Sequence, residues 1–503
     1  MSEELSEACG VFGVISTSKT KNVFREMNWG LLSLNHRGQQ SYGFVTHDQG
    51  GFHKREDLNL IPTDPREIRS LETTLKGPIG IANARYATSG GTGVRHLQGG
   101  KQPLVVSHHG RRLAISYNGN IVNASALRSR LERKFGKFKT DADTEVLARQ
   151  ILLSLDENSG AYESAIGEVL DVVEGAYSAM MIDSKDRSLY AFRDVRGIRP
   201  YCLGKRGDLY AFASESPALD INGFTDIDYV SPGELVSVRA NGEMTRKQIR
   251  KARPAFCAFE FAYFSRPDSI LNGTKRAVYK IREEFGKSLS RTYSDKIKPI
   301  DLIVSIPETA DDSAYGLHEA TGIPWERAVR KNRYVTRRAF ISGRGERDDV
   351  IDKKVNIVPD LVKGKRLGVI EDSIVRGDTS KANIAKLIVA GSKSVDVFIT
   401  YPRITNPCLY GVDMATYGEL IGARMEPKEI AQWIGADSVN FQTIEGLVNS
   451  IGISKENLCL ACVTGSYPTA AAQKMADEIK RQHEASKNTK VVDGEKRIYE
   501  RRD

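Results

Sequence analysis

Hydrophobic and polar positions alternate in short segments through the first half of the chain, with glycine-rich turns between them. A period of two residues is typical of half-buried β-strands. Two longer stretches, at residues 22–35 and 143–155, have the wider spacing of helices. We therefore expect an α+β domain of layered sheets and helices over residues 9–245. The predicted strands cover residues 9–16, 79–86, 112–118, 176–182, 189–193 and 209–213.

A different pattern begins near residue 276, where apolar runs alternate with helical segments. This βαβ alternation predicts a parallel sheet with helices on both faces, and we place the α/β domain at residues 255–470. The charged stretch 246–254 ends in proline and is the predicted junction, and residues 471–503 form a predicted charged helix and tail. Residues 331–360 are charged and lack apolar periodicity, which indicates a disordered loop or a functional flap.

Composition narrows the class of protein. A chain of 503 residues is too long for one ordinary core, and its 40% hydrophobic and 27% charged content is typical of a soluble enzyme. No apolar run is long enough to span a bilayer, and the acidic N-terminus lacks the apolar region of a secretory signal. We expect a cytoplasmic protein that does not bind membranes. The net charge of +9 comes from basic residues interleaved with acids, without a nucleic-acid-binding motif, so no nucleic-acid partner is expected.

A cysteine directly follows a short acidic leader, residues 1–8, and begins the first apolar run. If the leader is removed after Ala8, Cys9 carries both a thiol and a free α-amine. An α-amine has a pKa near ~8, so at neutral pH it can accept the thiol proton without a histidine partner. Taken alone, the segment favours a plainer interpretation, a small buried cysteine at the start of a strand.

Four later segments contain side chains suited to hydrolysis of a side-chain amide. Attack by a thiolate creates an oxyanion, which the Asn118 amide and the Gly119 backbone N–H can stabilise. Arg85 can bind a carboxylate with two hydrogen bonds, and Asp143 can bind an ammonium group. Each motif has an ordinary alternative, since Asn-Gly is common in turns and Asp-Thr-Glu caps helices. The segments are His36-Arg37-Gly38, Arg85-Tyr86-Ala87-Thr88, Asn118-Gly119-Asn120 and Asp143-Thr144-Glu145.

Together, and in this order after Cys9, the motifs resemble those of the class II glutamine amidotransferases. The resemblance implies an N-terminal-nucleophile domain with αββα layers. Two positions depart from the family pattern, because Asn83 and Tyr117 stand where a histidine is common. These departures bear on the positioning of the substrate rather than on the chemistry. The resemblance implies catalytic roles for Cys9, Asn118, Gly119 and Arg37, the last near the nucleophile, and glutamine binding by Arg85 and Asp143.

A second chemical signal lies at residues 366–380. A hydrophobic strand ends in two acids, Glu371 and Asp372, and a tight loop then leads into a helix at Thr379-Ser380. Backbone N–H groups of such a loop, with the positive end of the helix, can bind a phosphate, and the carboxylates can accept hydrogen bonds from ribose hydroxyls. The alternative is a buried strand followed by a helix cap.

This segment resembles the ribose-5-phosphate loop of type I phosphoribosyltransferases. With motifs at 263–269, 320–324, 331–335 and 407–411, nearly the whole chain resembles the amidophosphoribosyltransferase family. That family converts glutamine, phosphoribosyl pyrophosphate and water to 5-phosphoribosylamine, glutamate and pyrophosphate, the first step of de novo purine synthesis. The resemblance implies that phosphoribosyl pyrophosphate is bound by Glu371, Asp372, Ser373, Arg376, Gly377, Thr379 and Ser380 and by the flap cations Lys331, Arg333 and Lys354. It also implies Mg²⁺, held through the substrate by Glu371 and Asp372.

The chain departs from this family toward acidic residues. Glu371 replaces an aspartate, and Asp378 stands where a threonine is usual. In the pyrophosphate region Glu308 replaces an aspartate, and in the flap Asp352 stands where an arginine is usual. An extra carboxylate 4 Å from a phosphate costs about 1–4 kcal/mol, depending on the local dielectric. One alternative is therefore a divergent paralogue with glutaminase activity and a different phosphosugar acceptor. A third hypothesis is a non-catalytic binding protein, but the intact Cys9 motif argues against it.

The cysteines suggest a metal site rather than disulfides. Six cysteines in this length do not form a disulfide framework, but Cys459 and Cys462 form a CxxC motif that Cys257 and Cys408 could complete as a four-thiolate metal or iron–sulfur site. One branch of the family has a cleaved leader and a [4Fe–4S] cluster, and the resemblance extends to these four cysteines and to residues 1–8. The family also implies a homotetramer inhibited by purine nucleotides.

Overall fold

The computed structural model describes residues 9–18, 20–85, 99–332, 355–414 and 416–487. Two sheets pack face to face in the N-terminal domain, because Val11, Ile81, Met180 and Val236 and their neighbours make both inner faces apolar. One sheet has the strand order β11-β9-β10-β1-β4-β2-β3, and the other has the order β13-β12-β8-β7-β6-β5. The strands are β1 Gly10–Ser16, β2 Ser41–Asp48, β3 Gly51–Asp57, β4 Ile79–Arg85, β5 Leu104–His108, β6 Arg111–Ile121, β7 Gly175–Asp183, β8 Leu189–Arg193, β9 Cys202–Arg206, β10 Leu209–Ala213, β11 Thr225–Tyr229, β12 Glu234–Val238 and β13 Met244–Gln248.

Helices cover the outer face of each sheet. The helices α1, α2 and α6 pack on the sheet that contains β1, and α3 to α5 pack on the other, so the layers are αββα as predicted. The local sequence determines where α2 begins. The Asp64 carboxylate caps the helix by accepting hydrogen bonds from the N–H groups of Arg66 and Glu67, and Pro65 is the first helical residue. The helices are α1 Phe24–Ser33, α2 Pro65–Thr74, α3 Ala124–Phe135, α4 Asp143–Glu157, α5 Tyr162–Val172 and α6 Pro217–Asp220.

The second domain contains a five-stranded parallel sheet with the order β16-β15-β19-β20-β21. Its strands are apolar on both faces. Val369 packs with Ile384 and Ile430 on one side, whereas Ile370 packs with Leu317 on the other. This doubly covered parallel sheet confirms the predicted α/β class. The strands are β14 Phe256–Cys257, β15 Leu302–Ser305, β16 Trp325–Glu326, β17 Val329–Lys331, β18 Val355–Ile357, β19 Arg366–Glu371, β20 Ser394–Ile399, β21 Ser438–Phe441 and β22 Leu458–Cys459.

The helices of this domain include the one that follows the phosphate-loop candidate, α11. They are α7 Val278–Thr292, α8 Ser294–Ile297, α9 Asp311–Thr321, α10 Pro359–Val362, α11 Asp378–Val389, α12 Ile421–Arg424, α13 Pro427–Ile434, α14 Ile444–Ile451, α15 Ala461–Thr464 and α16 Ala470–Lys487, with a π-helical turn at Glu260–Phe264 and a 3₁₀ turn at Lys455–Asn457. Within the described residues, no helix combines the length and hydropathy needed to cross a membrane.

Two strand pairs lie in segments that the sequence analysis singled out, the predicted flap and the predicted domain junction. The antiparallel strands β17 and β18 place Lys331 opposite Val355, so described residues from both sides of the predicted flap pair with each other. The flap residues 333–354 lie outside the described part. Strand β13 occupies the first residues of the stretch 246–254, since Gln248 pairs with Glu234 on β12. Charged side chains suit this exposed edge strand, which is why the stretch resembles a linker in the sequence.

Candidate active sites

The candidate nucleophile lies at the start of the central strand of its sheet. Gly10 pairs with Ala84 in the antiparallel β1–β4 ladder, so the preceding residue, Cys9, lies opposite Arg85 at the end of β4. Cys9 is buried, and so is Arg85, whose Nη1 has no hydrogen-bond partner in the described part of the chain. Gly100 packs against the Arg85 guanidinium so closely that a Cβ there would lie 2.4 Å from Nη2. The strand register thus places a thiol beside a partly unsatisfied cation.

The candidate oxyanion donors lie on β6. Asn118 is fully buried, yet neither its Nδ2 nor its Oδ1 has a partner among the described residues. Leaving a buried amide unsatisfied costs about 1–3 kcal/mol, so such a group indicates a ligand. The next residue, Gly119, has a φ of +147°, and a Cβ there would lie 1.8 Å from the carbonyl oxygen of Ala176. Only glycine fits this position.

Asp143 and Tyr117 complete the same site. Asp143 begins α4 and accepts a hydrogen bond of 3.2 Å from the backbone N–H of Ile121. The Tyr117 hydroxyl also donates to Asp143; burial, together with the Asp143 charge, raises the pKa of Tyr117 well above its usual value. Cys9 and Arg85 act on Tyr117 electrostatically as well, so Tyr117 lies within electrostatic reach of all three residues. This candidate glutamine pocket has a cation and an anion, and the orphaned Asn118 amide is the next residue of β6 after Tyr117; together they are complementary to the three polar groups of glutamine.

Arg37 lies near the nucleophile along the backbone, but its guanidinium makes contacts that the sequence analysis did not anticipate. Its Cβ lies close to Gly10, but its guanidinium binds two buried carboxylates, Glu215 and Glu260. Burial alone would raise the pKa of Glu215, but His36, Arg37 and a hydrogen bond from Ser269 outweigh it, so the pKa lies well below its usual range. The contact that the structure shows for Arg37 is therefore between domains, because Glu260 belongs to the second domain.

The buried ion network continues through Arg199. Its Nη1 lies 3.0 Å from Glu260 Oε1, and its Nε and Nη2 donate to the carbonyl oxygen of Tyr410 at 3.0 and 2.7 Å. Burial would raise the pKa of Glu260, but Arg37 and Arg199 hold it below its usual value. Sequence analysis missed Glu215, Glu260 and Arg199, because nothing in their local sequence distinguishes a buried charge from a solvated one.

The second domain also touches the oxyanion segment directly. Asn120 Nδ2 donates to the carbonyl oxygen of Leu409 at 2.9 Å. A Cβ on Gly411 would lie 3.1 Å from the carbonyl carbon of Gly119. The segment 409–411 thus packs on the residue that follows Asn118, which brings the two domains into contact at the glutamine pocket.

The phosphate-loop candidate lies at the carboxyl end of β19. Glu371 Oε2 accepts a hydrogen bond of 2.9 Å from Ser380 Oγ, and Asp372 Oδ1 accepts one of 2.7 Å from Ser373 Oγ. Burial raises the pKa of Asp372 to about 6, against the effects of Ser373 and of the Arg282 charge. The two acids therefore stand at the edge of the sheet where open α/β folds bind ligands.

The loop itself is shaped for an anion. Gly377 has a φ of +88°, and a Cβ there would lie 2.6 Å from the Trp433 ring. Thr379 is buried at the start of α11, and its Oγ1 has no partner within the described residues. Asp378 is exposed, so it does not share the burial of that hydroxyl. Arg376 Nη2 donates to Glu419 Oε1 at 3.2 Å.

The pyrophosphate side of this site contains further acids. Lys331 Nζ lies 3.9 Å from Glu308 Oε2, and both side chains are exposed. Asp312 has a buried Oδ2 without a partner in the described part, and burial raises the pKa of this carboxyl to about 6. Asp312 was not predicted. The predicted cations Arg333 and Lys354, and the departure at Asp352, lie outside the described residues.

The four cysteines of the predicted cluster come together. Cys257 and Cys459 are register neighbours on the parallel strands β14 and β22. Cys462 Sγ lies 3.5 Å from the Tyr401 hydroxyl, and Cys408 Sγ accepts from the Tyr410 N–H at 3.4 Å. Burial raises the pKa of Cys257 to about 12, and the neighbouring thiol of Cys408 adds to the shift. Cys459 lies within electrostatic reach of the other three thiols.

Comparison with known proteins agrees with this two-site arrangement. The profile of a glutamine amidotransferase domain matches residues 92–221. The chain is 36% identical over 478 residues to an amidophosphoribosyltransferase of Methanocaldococcus jannaschii, covering 92% of this chain and 98% of the relative. It is 36% identical over 476 residues to an amidophosphoribosyltransferase of Bacillus subtilis, covering 93% and 96%.

Solved structures show the same likeness. The glutamine phosphoribosylpyrophosphate amidotransferase of B. subtilis, complexed with ADP and GMP, superposes with a TM-score of 0.80 at 35% identity, covering 92% of this chain and 98% of that one. A structure described as the allosteric regulatory enzyme of purine biosynthesis gives a TM-score of 0.81 at 35% identity, covering 92% and 97%. A glutaminase pocket, a phosphoribosyltransferase sheet and these relatives over nearly the full length establish that the chain belongs to the amidophosphoribosyltransferase family, a family of glutamine-dependent transferases.

Proposed function

We propose that the chain transfers the amide nitrogen of glutamine to phosphoribosyl pyrophosphate, so that glutamine, phosphoribosyl pyrophosphate and water give 5-phosphoribosylamine, glutamate and pyrophosphate. The observation that carries this proposal is the contact between the two sites. Asn120 and Gly119, beside the orphaned Asn118, bind or touch Leu409 and Gly411 of the second domain. A glutaminase that only released ammonia to solvent would not need this junction.

In the first half-reaction, the Cys9 thiolate attacks the glutamine side-chain carbonyl. Removal of residues 1–8 frees the α-amine of Cys9, which then accepts the thiol proton and passes it to the leaving ammonia. A water molecule, activated by the same amine, then hydrolyses the glutamyl thioester, which releases glutamate and restores the Cys9 thiol. Asn118 Nδ2 and the Gly119 N–H stabilise the oxyanion, and this is the role for which the buried amide is left without a partner. Arg85 holds the substrate carboxylate, while Asp143 holds the ammonium group.

Ammonia must reach the sugar without becoming ammonium, which is not a nucleophile. A buried apolar cluster joins the two sites, since Val375 of the phosphate loop packs in the same cluster as Phe264, Val412 and Met414. Val412 directly follows Gly411, which touches the oxyanion segment. A dry connection of this kind favours the neutral amine.

In the second half-reaction, the phosphate loop binds the 5′-phosphate through its N–H groups and the Thr379 hydroxyl. Glu371 and Asp372 accept hydrogen bonds from the ribose hydroxyls. These two carboxylates also suit Mg²⁺, which prefers oxygen ligands and would neutralise charge on the departing pyrophosphate. Lys331, with Arg333 and Lys354, would supply cations from the flap.

The four cysteines fit an iron–sulfur cluster better than a single zinc ion. One tetrahedral zinc with bonds of ~2.3 Å would draw its sulfurs to within ~3.8 Å of one another. Among the described residues, however, no three of the cysteine sulfurs lie within 4.8 Å of one another. A larger [4Fe–4S] unit suits that spacing. It would fix β22 and α15 to β14 at the start of the second domain.

The divergent-paralogue alternative rests on the acidic departures. The exposed Asp378 and the 3.9 Å Glu308–Lys331 approach favour an ordinary phosphoribosyl pyrophosphate site, because neither acid is buried against the loop. We also propose purine nucleotides as inhibitors, since the B. subtilis relative binds ADP and GMP. A homotetramer and a cytoplasmic location belong to the same proposal.

The test is an assay of purified enzyme with glutamine, phosphoribosyl pyrophosphate and Mg²⁺. The proposal expects pyrophosphate and glutamate to appear in equal amounts. Glutamate without pyrophosphate would favour the divergent paralogue, and the absence of both products would refute the enzymatic proposal. Intact mass should show Cys9 as the first residue, and anaerobically purified protein should contain four irons per chain by the family stoichiometry.

A further inference from the structure

A cluster of two imidazoles and one carboxylate lies on the N-terminal domain, away from both active sites. His108 is the last residue of β5, His109 begins the turn to β6, and Asp156 lies in the last turn of α4. His108 Nε2 and His109 Nδ1 each lie 3.1 Å from Asp156 Oδ2. The three atoms lie within 4.8 Å of one another, the one such group found among the described residues.

The spacing matches the coordination shell of a small transition-metal ion. A tetrahedral ion with bonds of ~2.0–2.1 Å separates neighbouring ligand atoms by ~3.3 Å. The two measured nitrogen-to-oxygen distances are close to this value. Imidazole nitrogen and carboxylate oxygen are ligands that zinc-class ions accept, and three protein ligands leave one position for water. We propose that His108, His109 and Asp156 form a binding site for a divalent transition-metal ion of the zinc class.

The surrounding structure supports both histidines in this position. The His109 backbone has a φ of +44°, and the two imidazole rings stack with centroids 3.8 Å and planes 26° apart, so both rings are on the same side of the turn. Because each nitrogen lone pair lies in its ring plane, the exposed His109 ring must rotate for both nitrogens to bind one ion. The His108 ring packs on Phe135, at 4.4 Å between centroids. The carboxyl end of α4 carries a partial negative charge, which favours a cation there.

Nearby basic groups are already paired. Arg149 lies over the Phe135 ring and forms an ion pair of 3.4 Å with Glu145, while Lys134 pairs with Glu157 at 2.6 Å. Asp156 is thirteen residues after Asp143 on the same helix, about 20 Å along its axis. The metal would therefore tie the β5–β6 hairpin to α4, and glutamine turnover does not depend on it.

A Co²⁺ titration of the purified holoenzyme tests the site. Tetrahedral Co²⁺ has visible absorption bands, and thiolate ligands would add near-ultraviolet charge-transfer bands that imidazole and carboxylate ligands do not. We expect one equivalent per chain to bind without the thiolate bands and to be displaced by Zn²⁺. His109→Ala and Asp156→Asn should each weaken Co²⁺ binding at least ~100-fold. Loss of a direct ligand should cost more affinity than loss of a residue that only hydrogen-bonds to a ligand.

The matched control is His53→Ala. His53 Nε2 lies 3.0 Å from Asp48 Oδ1, an imidazole–carboxylate pair that lacks a third ligand. This variant should keep the bound equivalent, and Zn²⁺ should raise the unfolding temperature of wild type and His53→Ala but not of His109→Ala. The His109 side chain is 76% exposed, so its removal should not disturb folding. Equal Co²⁺ binding by wild type and His109→Ala would overturn the proposal.

Discussion

Single residues at the proposed glutamine pocket carry buried polar atoms, for which we propose partners on the substrate. Asn118 is the clearest case, because its amide is buried with neither atom satisfied by the described residues. Tyr117 differs: it stands where a histidine is common in the family, and its hydroxyl binds the carboxylate that we assign to the substrate ammonium. A tyrosine can donate this hydrogen bond without adding a second cation beside the proposed ammonium site.

Tyr117→Phe therefore should weaken glutamine binding while leaving the nucleophile intact. A hydrogen bond to a charged group contributes about 1.5–3 kcal/mol, so we expect KM for glutamine to rise about 10-fold or more. Steady-state kinetics with glutamine, and with ammonium chloride in its place, measure the effect. Tyr177→Phe is the control, since its buried hydroxyl donates to the Val173 carbonyl instead. An unchanged KM for glutamine in Tyr117→Phe would contradict the assignment.

At the phosphate loop, adjacent residues should differ sharply in effect. Thr379→Val removes a buried hydroxyl that has no partner within the described chain, so KM for phosphoribosyl pyrophosphate should rise about 10-fold. Asp378→Asn changes an exposed neighbour, and KM should change by less than about fivefold because solvent screens the charge. If Asp378→Asn has the larger effect, the acidic departure faces the phosphate after all.

At the scale of elements, backbone geometry on β6 sets the oxyanion site. Gly119→Ala would place a Cβ 1.8 Å from the Ala176 carbonyl oxygen, so β6 and β7 would have to separate. We expect loss of glutaminase activity and destabilisation by about 3 kcal/mol or more. Thermal unfolding and glutamate release are the measurements.

Gly136→Ala separates the clash from the cost of the backbone conformation. Gly136 also has a positive φ, +73°, but its added Cβ would meet nothing within 4 Å. This variant should lose only about 1 kcal/mol and keep its activity. Equal destabilisation of the two variants would show that close packing at Gly119 is unimportant.

The sequence predicted several buried strands from their apolar runs but missed others, such as β2, which is buried at seven of its eight residues. The strands β1, β4 and β7 are buried along their whole length and were predicted within one or two residues. Helix α2 buries only Leu71, and α3 buries only Leu127 and Leu131, so neither has an apolar stripe that the sequence analysis could detect. Motif residues such as Cys9 and Asn118 could be named beforehand, but the ion network could not, because its partners are far apart in sequence.

At the scale of the whole molecule, the two domains meet through buried charges. Glu215 contacts His36 and Arg37 of its own domain and also Ser269 and the Arg266 N–H of the second domain. Arg37 lies close to Gly10, and Gly10 directly follows the proposed nucleophile Cys9 in the sequence. This junction is therefore near the glutamine site. We expect it to keep the two sites in register.

Acid should weaken this junction. Glu215 has a pKa well below the usual 4.5, so its stabilisation is complete above about pH 4.5 and is lost as the pH falls below that value. Glu215→Gln should destabilise the protein by about 3 kcal/mol at pH 7, since it leaves Arg37 partly unpaired. The difference from wild type should shrink below pH 4.5.

Urea or thermal unfolding between pH 3.5 and about 7 measures this dependence. The control is Asp301→Asn, which removes an exposed ion pair with Arg366 and should have little effect on stability, because solvent screens the pair. A Glu215→Gln difference that stays constant from pH 7 down to pH 3.5 would refute an ionised Glu215 in the junction.

The most direct test of the whole account replaces Cys9 with alanine and follows pyrophosphate release from phosphoribosyl pyrophosphate. With glutamine as the nitrogen donor, release should fall to background; with an ammonium salt near pH 8, it should continue at close to the wild-type ammonia-dependent rate, since the second site needs only free ammonia. Release with glutamine at the wild-type rate, or loss of the ammonia-dependent reaction as well in a protein that remains folded, would contradict a cysteine that supplies nitrogen to a separate phosphoribosyl site.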